Sequence, residues 1–547
     1  MGTSISIPAH RAARWSPSPL LAGYALALVV GGFFLWFSGA WGAGFSGADE
    51  PAHFLNSWFV SLYAREALGH NPMAFATEFY LHYPKISIGH WPPAYYALIS
   101  PVFLILPATP QTAMAVNWLV SALPAAGIAW ILARLAGRGL ALAGAALWAL
   151  TPLALEGQAF FMLDQPLAAC ALAATIVWIL YAERPTWPRI LVFAGLAALA
   201  ILIKGNGWLV GLVPVLHIVL TGRWSLLRLA KSWVGGALAL VPVIPWYGLT
   251  AAIAADGFNY RPGPAYALEA LAMNLRTLSD NLTPLGLALL AFALWSEGRR
   301  RREQPERWSV IAACVSLILA TLILQSAVPA DLDPRYTDPA LPAVVVLALV
   351  GALHLLRRVA EAPRRAAAAV LAILLVAPGL AHVAAREPKA DLRIDQAVAA
   401  SVPGEAWLID GSSGAEGAYI AALAVRDPAL SGYAVRASKL LAESDFMGHA
   451  YRLKYADSAV APTLGRLGLA GIVIVERDGM ESFAHSAQLR RALAAPGSAF
   501  RVVETLPHRG RVGTTWVYRA AGSRPVPAIA AIRALGLPDK ARGLTRS

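Results

Sequence analysis

Charge is scarce in this chain. Only 14% of its 547 residues are Asp, Glu, Lys or Arg, where a soluble globular protein would be nearer a quarter. That shortage excludes an ordinary water-soluble enzyme of this length. Cysteine is scarcer still: Cys170 and Cys314 are the only two, and both lie inside apolar runs. They can build neither a disulfide framework nor a CxxC metal motif. No repeat of fixed period runs through the sequence, which excludes a solenoid or a propeller. The net charge of +13 would suit a nucleic-acid partner if it were gathered on one face. It is instead divided into small clusters between apolar stretches.

Those stretches are what the sequence has in abundance. Hydrophobic residues make up 57% of the chain. Stretches of about 17 to 25 mostly apolar residues read as transmembrane helices. Eleven are expected, at about 20–41, 113–133, 139–157, 165–182, 188–204, 206–221, 232–253, 282–296, 308–328, 338–356 and 366–384. The first follows Arg11 and Arg14 and is too long for a signal-peptide core, so it is read as an uncleaved span.

With the N-terminus in the cytoplasm, every basic cluster falls inside, as the positive-inside rule requires. These are Arg134 with Arg138, Arg184 with Arg189, Arg223 with Arg228 and Lys231, the run 299–302 with Arg307, and Arg357, Arg358, Arg364 and Arg365. The apolar stretch 94–108 would invert every later loop if it crossed. It is therefore expected to be an interfacial or re-entrant helix on the outer face.

After Arg386 the composition changes. "AWLID" (406–410), "GIVIVE" (471–476), "FRVVETL" (500–506) and "TTWVYRA" (514–520) read as strands, with a helical pattern over 438–456 between them. The expected fold class is thus a polytopic α-helical membrane protein of about eleven spans plus outer-face interfacial helices, with a small soluble α/β domain. Its parts are a membrane domain over 1–384 with a long first outer loop at 42–112, a soluble periplasmic domain over 385–520, and a flexible basic tail over 521–547.

The unusual polar residues fall almost entirely on the outer face. "GADEPAH" brings Asp49, Glu50 and His53 right after the first span. Asp49 and His53 are four apart and share a helical face. One carboxylate could be a helix cap, but two with a histidine suit acid–base work. "KISIGHWPPAYY" supplies Lys85, His90 and Tyr95, suited to substrate contact or to an interfacial aromatic belt. Asp164 stands at the outer end of a span, where a charge is functional or paired, though before Pro166 it could also cap a helix.

Lys204, in "KGNG", breaks a hairpin of two apolar helices. It could snorkel to the interface or meet a phosphate, with Gly205 and Gly207 giving backbone access. Arg335 and Tyr336, in "DPRYTDPALP", offer a second outer cation, suited to phosphate oxygens or to pairing with Asp333 or Asp338. Carboxylates that deprotonate an acceptor, beside cations that stabilise a departing phosphate, point to group transfer from a lipid phosphate.

At these residues the chain resembles the GT-C membrane glycosyltransferases, in the protein O-mannosyltransferase and aminoarabinose-transferase-like branch. The "DE" after the first span, "HWPPAYY", "LDQPLA", "KGNG" and "RYTDPALP" occur in the family's order over about residues 20–360. The resemblance implies a polyprenyl-phosphate sugar donor and an outer-loop Asp, here Asp49, as general base or acceptor-orienting group. It implies that Glu50 neighbours that group and that Asp164 is a second outer-face acid. It places His90, Lys204 and Arg335 near the donor phosphate. "KGNG" in place of Lys-Gly-Pro, and Trp91 after His90, depart from the pattern and leave the donor open.

The expected protein is therefore a glycosyltransferase of a bacterial inner membrane. It moves one sugar from a polyprenyl-phosphate donor to a lipid, glycan or protein acceptor on the periplasmic side, with Asp49, Glu50 and Asp164 catalytic. His53, Lys85, His90, Tyr95, Lys204, Arg335 and Tyr336 bind substrate. No cofactor is assigned; a divalent metal on Asp49, His53 and a distant carboxylate stays open. The alternatives are a lipid-linked oligosaccharide transferase or ligase, and a transporter or flippase. The latter would need charges buried mid-span and related halves.

Overall fold

The structure is a computed structural model and describes residues 17–87, 89–254, 258, 260–444, 451–477, 483–522 and 525–535. Among these residues, six helices are long and apolar enough to cross a membrane, or eight if each of two bent pairs counts as one span. These eight, with the shorter apolar helices Trp187–Ile203, Gly205–Thr221 and Leu341–Leu356, fall on the eleven expected stretches. Helix is the form in which an apolar run satisfies its own backbone away from water.

The bends have local causes. Arg138–Ala149 and Pro152–Ala159 meet at 59°, where Thr151 is extended ahead of Pro152. In Pro264–Arg299, Thr283 leaves the helix at φ 63° ahead of Pro284. A residue before proline is pushed out of the α region, and a β-branched residue at positive φ is strained. The expected span at 282–296 begins at this kink. The expected outer loop 254–281 is instead mostly helix, from Pro264 onward; residues 255–257 and 259 lie outside the described residues.

The long first loop folds as helices Glu50–Glu66, Pro72–His82 and Ala94–Ile105. The last has 12 residues, roughly 18 Å of helix, too short for a hydrocarbon core of about 30 Å. It lies on Glu50–Glu66, with the Phe54 and Phe103 rings edge to face at 5.5 Å.

Glycines set the closest helix contacts. A Cβ on Gly351 would lie 1.9 Å from the Leu289 carbonyl oxygen, and one on Gly379 would lie 1.6 Å from that of Leu150. Small residues allow such backbone approach in a membrane.

The C-terminal domain carries a five-stranded mixed sheet. Its strands are β1 (Ala406–Asp410), β2 (Tyr433–Arg436), β5 (Gly471–Arg477), β6 (Phe500–Pro507) and β7 (Gly513–Ala520), in the order β2-β1-β5-β7-β6. β1 pairs in parallel with β2 and β5, and β7 runs antiparallel to β5 and β6. Alternation divides its side chains between two faces. Leu408, Ile472 and Ile474 fill the domain's own core, while Trp407, Ile409 and Val473 join a core continuous with Phe45 and Phe54 of the membrane domain.

Of the helix expected over 438–456, residues 445–450 lie outside the described residues, and the described residues on either side form a different structure. A short helix, Ala437–Leu440, leads into a hairpin of β3 (Ala442–Ser444) and β4 (Tyr451–Leu453). Glu443 and Arg452 face each other across it at 2.5 Å, and such cross-strand charge pairing favours the ladder. Of the expected tail, Ile529–Ala534 is helical; residues 523–524 and 536–547 lie outside the described residues.

The glycine contacts are testable. Gly351→Val is expected to cost about 1–3 kcal/mol by forcing two helices apart, read as a lower Tm in detergent. Gly236→Ala, with nothing within 4 Å of the added carbon, should not lower Tm. Equal Tm values for the two variants would remove close backbone packing as the reason for Gly351.

Candidate active site

Asp49 immediately precedes helix Glu50–Glu66, yet its side chain makes no capping hydrogen bond. The carboxylate turns to Arg335, whose Nη2 donates to Oδ2 at 3.3 Å. Arg335 stands on a 3₁₀ turn, Pro334–Thr337, capped by Asp333. The Asp333 side chain also pairs with Arg335 Nε at 2.8 Å. Chain segments 286 residues apart thus converge on one guanidinium.

A second pair lies beside the first. Lys204 follows helix Trp187–Ile203 in extended conformation and donates to Asp164 Oδ1 at 2.5 Å. Its ammonium lies 4.2 Å from the centre of the Tyr336 ring, within cation–π range. Asp164 Oδ2 is buried without a hydrogen-bond partner. Gly207 packs against the Ala200–Ile201 backbone, where a Cβ would come within 2.1 Å. It therefore serves helix packing. At Gly205 the nearest atom would be 3.6 Å away, so that position has room.

The electrostatics follow from this clustering. Burial works against ionisation of Asp49, but His53, in the acid range where it is protonated, and Arg335, Lys85 and Lys204 hold its carboxyl below the usual value. Burial also opposes the Arg335 charge, and the carboxylates Asp164, Asp333 and Asp49 outweigh it and raise its pKa. His53 is held neutral. Burial is the main cause of a pKa lowered to about 3, against the attraction of Asp49. Its Nδ1 shares a hydrogen bond of 2.8 Å with the Tyr96 hydroxyl, and Trp91 lies over it at 4.4 Å.

Glu50, Lys85 and Tyr95 are buried as His53, Asp164 and Lys204 are, but stand outside the two ion pairs. Glu50 is fully buried, and both its oxygens are occupied. Oε2 accepts from Ser46 N at 3.0 Å and Gly47 N at 2.8 Å. Oε1 accepts from Phe161 N at 3.0 Å and Lys389 Nζ at 2.7 Å. Lys85 donates to the Ala48 carbonyl at 3.1 Å and to Ser413 of the C-terminal domain. Burial lowers its pKa to about 8. Tyr95 is buried and packs on Phe161 at 6.1 Å. The neighbouring tyrosine, Tyr96, makes the contact to His53. His90 meets Trp91 edge-on at 4.9 Å.

Among the described residues, no group of three or more His, Cys, Asp or Glu is arranged to hold a metal ion. The ligand set of Asp49, His53 and a further carboxylate is therefore not assembled here, and the His53 Nδ1 is already engaged by Tyr96.

Comparison with known proteins bears on the fold. Residues 90–248 match the family model of dolichyl-phosphate-mannose-protein mannosyltransferases. ArnT from Cupriavidus metallidurans is similar in structure. Its apo crystal structure has a TM-score of 0.58 at 14% identity, covering 95% of this chain and 99% of that one. Its structure bound to undecaprenyl phosphate has a TM-score of 0.56 at 15% identity, covering 96% and 100%. The likeness shows that this chain has the fold of those ArnT structures. An oligosaccharyltransferase of Archaeoglobus fulgidus, in complex with zinc and sulfate, shares the GT-C fold more distantly, with a TM-score of 0.51 at 11% identity over 92% of this chain and 73% of that one. No curated protein matches by sequence.

Within this site, sequence reasoning missed Tyr96 and Trp91 as the partners of His53. Position within "HWPPAYY" does not say which tyrosine turns inward. It also missed Lys389, which follows the last span and carries no motif.

His53 gives a pH prediction. The unfolded chain binds a proton at this histidine below about pH 6.5, whereas the folded site resists until about pH 3. Protons thus favour the unfolded state between those values, and stability falls as pH drops through that window, with no such effect above it. His53→Gln should flatten the fall of Tm between pH 6.5 and the acid limit of the preparation. An unchanged acid slope would show that His53 is not a buried neutral group.

Proposed function

We propose that this protein transfers a single sugar from a polyprenyl-phosphate-linked donor to an acceptor on the periplasmic face of a bacterial inner membrane. The observation that carries this reading is the Asp49–Arg335 contact at 3.3 Å. It sets a carboxylate kept ionised beside a cation kept charged, with the two side chains 32% and 28% exposed. The solved ArnT with bound undecaprenyl phosphate supports a donor of that class.

The reaction needs two opposite charges within reach of one anomeric carbon. Asp49 accepts the proton of the acceptor hydroxyl or amine, or orients it, as the new bond to C1 forms. The bond from C1 to the phosphate oxygen breaks, and that oxygen leaves with the electron pair. Attack from the side opposite the phosphate inverts the configuration. Arg335 and Lys204 stabilise the charge that grows on the phosphate. Lys204 is matched by Asp164 at 2.5 Å in this state, so an arriving phosphate competes with that carboxylate. Glu50 takes no direct part, because its four donors fill it. His53, held neutral, adds no second cation to the Asp49–Arg335 pair, and Tyr336 backs both cations.

Asp49→Asn is expected to lower kcat by about 10²–10⁴-fold, the range for loss of a positioned base, assayed with a lipid-phosphate sugar donor. Full activity in a folded Asp49→Asn variant would sink the base assignment. Arg335→Ala and Lys204→Met should each weaken donor binding by about tenfold or more, the scale of a charge-assisted hydrogen bond. Unchanged donor affinity in both would remove them from the phosphate site.

A further inference from the structure

Asp49 ends a short stretch, 46–49, that leaves the first span and starts helix Glu50–Glu66. The C-terminal part of the chain holds this stretch at several points. Lys389, just past the last membrane helix, is 1% exposed and pairs with Glu50 at 2.7 Å. Its ammonium also donates to the Ala159 carbonyl at 2.9 Å, and its backbone N donates to Ser38 O at 2.9 Å. Gly414, in the first turn of helix Ser413–Arg426, lies against the carbonyls of 46 and 47. A Cβ there would come within 2.6 Å of Ser46 O and 2.8 Å of Gly47 O. Lys85 joins the Ala48 carbonyl to Ser413.

Glu50 is the centre of this grip. One carboxylate oxygen holds the backbone N–H groups of 46 and 47, and the other holds Phe161 N and Lys389. All four partners are donors, so only a group that accepts on both oxygens fits. A glutamine would turn an NH₂ toward two donors, and an aspartate is one methylene too short. Lys389 matches a charge that would otherwise be buried alone.

We propose that the C-terminal domain is a working part of the active site: Lys389, acting through Glu50, is a positioning residue for Asp49, and Gly414 and Ser413 hold the same stretch from the other side. This rests on the reading of Asp49 as the group that meets the acceptor. A displacement of about 1 Å at such a group can cost about 100-fold in rate.

The test compares Lys389→Met, Glu50→Gln and Gly414→Ala in the full-length protein, with and without Asp49→Asn. The control is Arg452→Met, which breaks an exposed pair on the hairpin. Lys389→Met and Glu50→Gln should lower kcat by about 100-fold, with donor KM within about twofold of the parent. The acid limb of the pH–rate profile should shift, because the surroundings of Asp49 change. In the Asp49→Asn background the same changes should cost nothing further, since they act through a group already removed. Arg452→Met should leave kcat unchanged.

Parental kcat in folded Lys389→Met, or losses that add to that of Asp49→Asn, would overturn the proposal. If Lys389→Met is not recovered from membranes, Gly414→Ala, which touches neither charge, tests the same grip. It should lower kcat by about tenfold, and an unchanged value overturns the proposal. Activity retained in Asp49→Asn alone would instead remove the reading of Asp49, a result distinct from either outcome for Lys389.

Discussion

The Glu50 carboxylate, with four donors and no exposure, is the contact on which the candidate site depends. Burying a charge costs several kcal/mol, recovered only by good geometry and full hydrogen bonding. Here both conditions hold, and the partners come from the first loop, from residue 161 and from residue 389. A single ion therefore fixes three segments that sequence distance keeps apart. Arg386 adds to the same seam by pairing with Glu156.

Around that fixed point the other charges are arranged differently. Asp49, Asp333 and Arg335 are partly open to solvent, while Asp164 and Lys204 are nearly enclosed. Under the proposed function, a phosphate would be met at the open cluster first and draw on the enclosed lysine as it settles. Positive and negative groups stand in near balance, so the site carries little net charge before a donor arrives. Local exchange of partners, rather than a standing excess of one sign, would then accommodate an anion. Tyr336 spans both cations, its ring 4.2 Å from Lys204 Nζ and 5.7 Å from the Arg335 guanidinium.

The sequence made some of this readable. A charged residue at the outer end of an apolar run has few reasons to be there, and for Asp164, Lys204, Arg335 and Asp49 that reasoning led to groups the structure brings together. The spans were legible for the same cause, because an apolar run in lipid has few alternatives to helix. The strands β1, β5, β6 and β7 showed in their alternation and β-branched residues.

What could not be read depends on distant partners. Asp49 and Glu50 are adjacent and chemically alike; distant partners separate their roles, Arg335 for Asp49 and Lys389, 339 residues away, for Glu50. Tyr95 and Tyr96 differ by one step of helix rotation, which the motif does not fix. The strands at 442–444 and 451–453 had a helical spacing of apolar residues, and their cross-strand pairing overrode that pattern. The helical stretch after Pro264 is polar enough to pass for a loop until its neighbours are known. Thr337 donates to Asn274 at 2.6 Å, and Asn281 accepts from Leu153 N at 2.9 Å.

The close seat of Gly414 on the carbonyls of Ser46 and Gly47 has a consequence for how such chains can diverge. The passage near residue 385 from the helical part of the chain to its sheet-bearing part does not separate two heritable parts. A soluble domain taken from a related chain brings its own residue at the position of Gly414 and its own partner for Glu50. Unless the recipient's stretch 46–50 comes with it, the graft meets a backbone it was not shaped for. Exchange by recombination is then confined to pairs that carry both pieces, and the first outer loop and the soluble domain are expected to drift together, as one surface would.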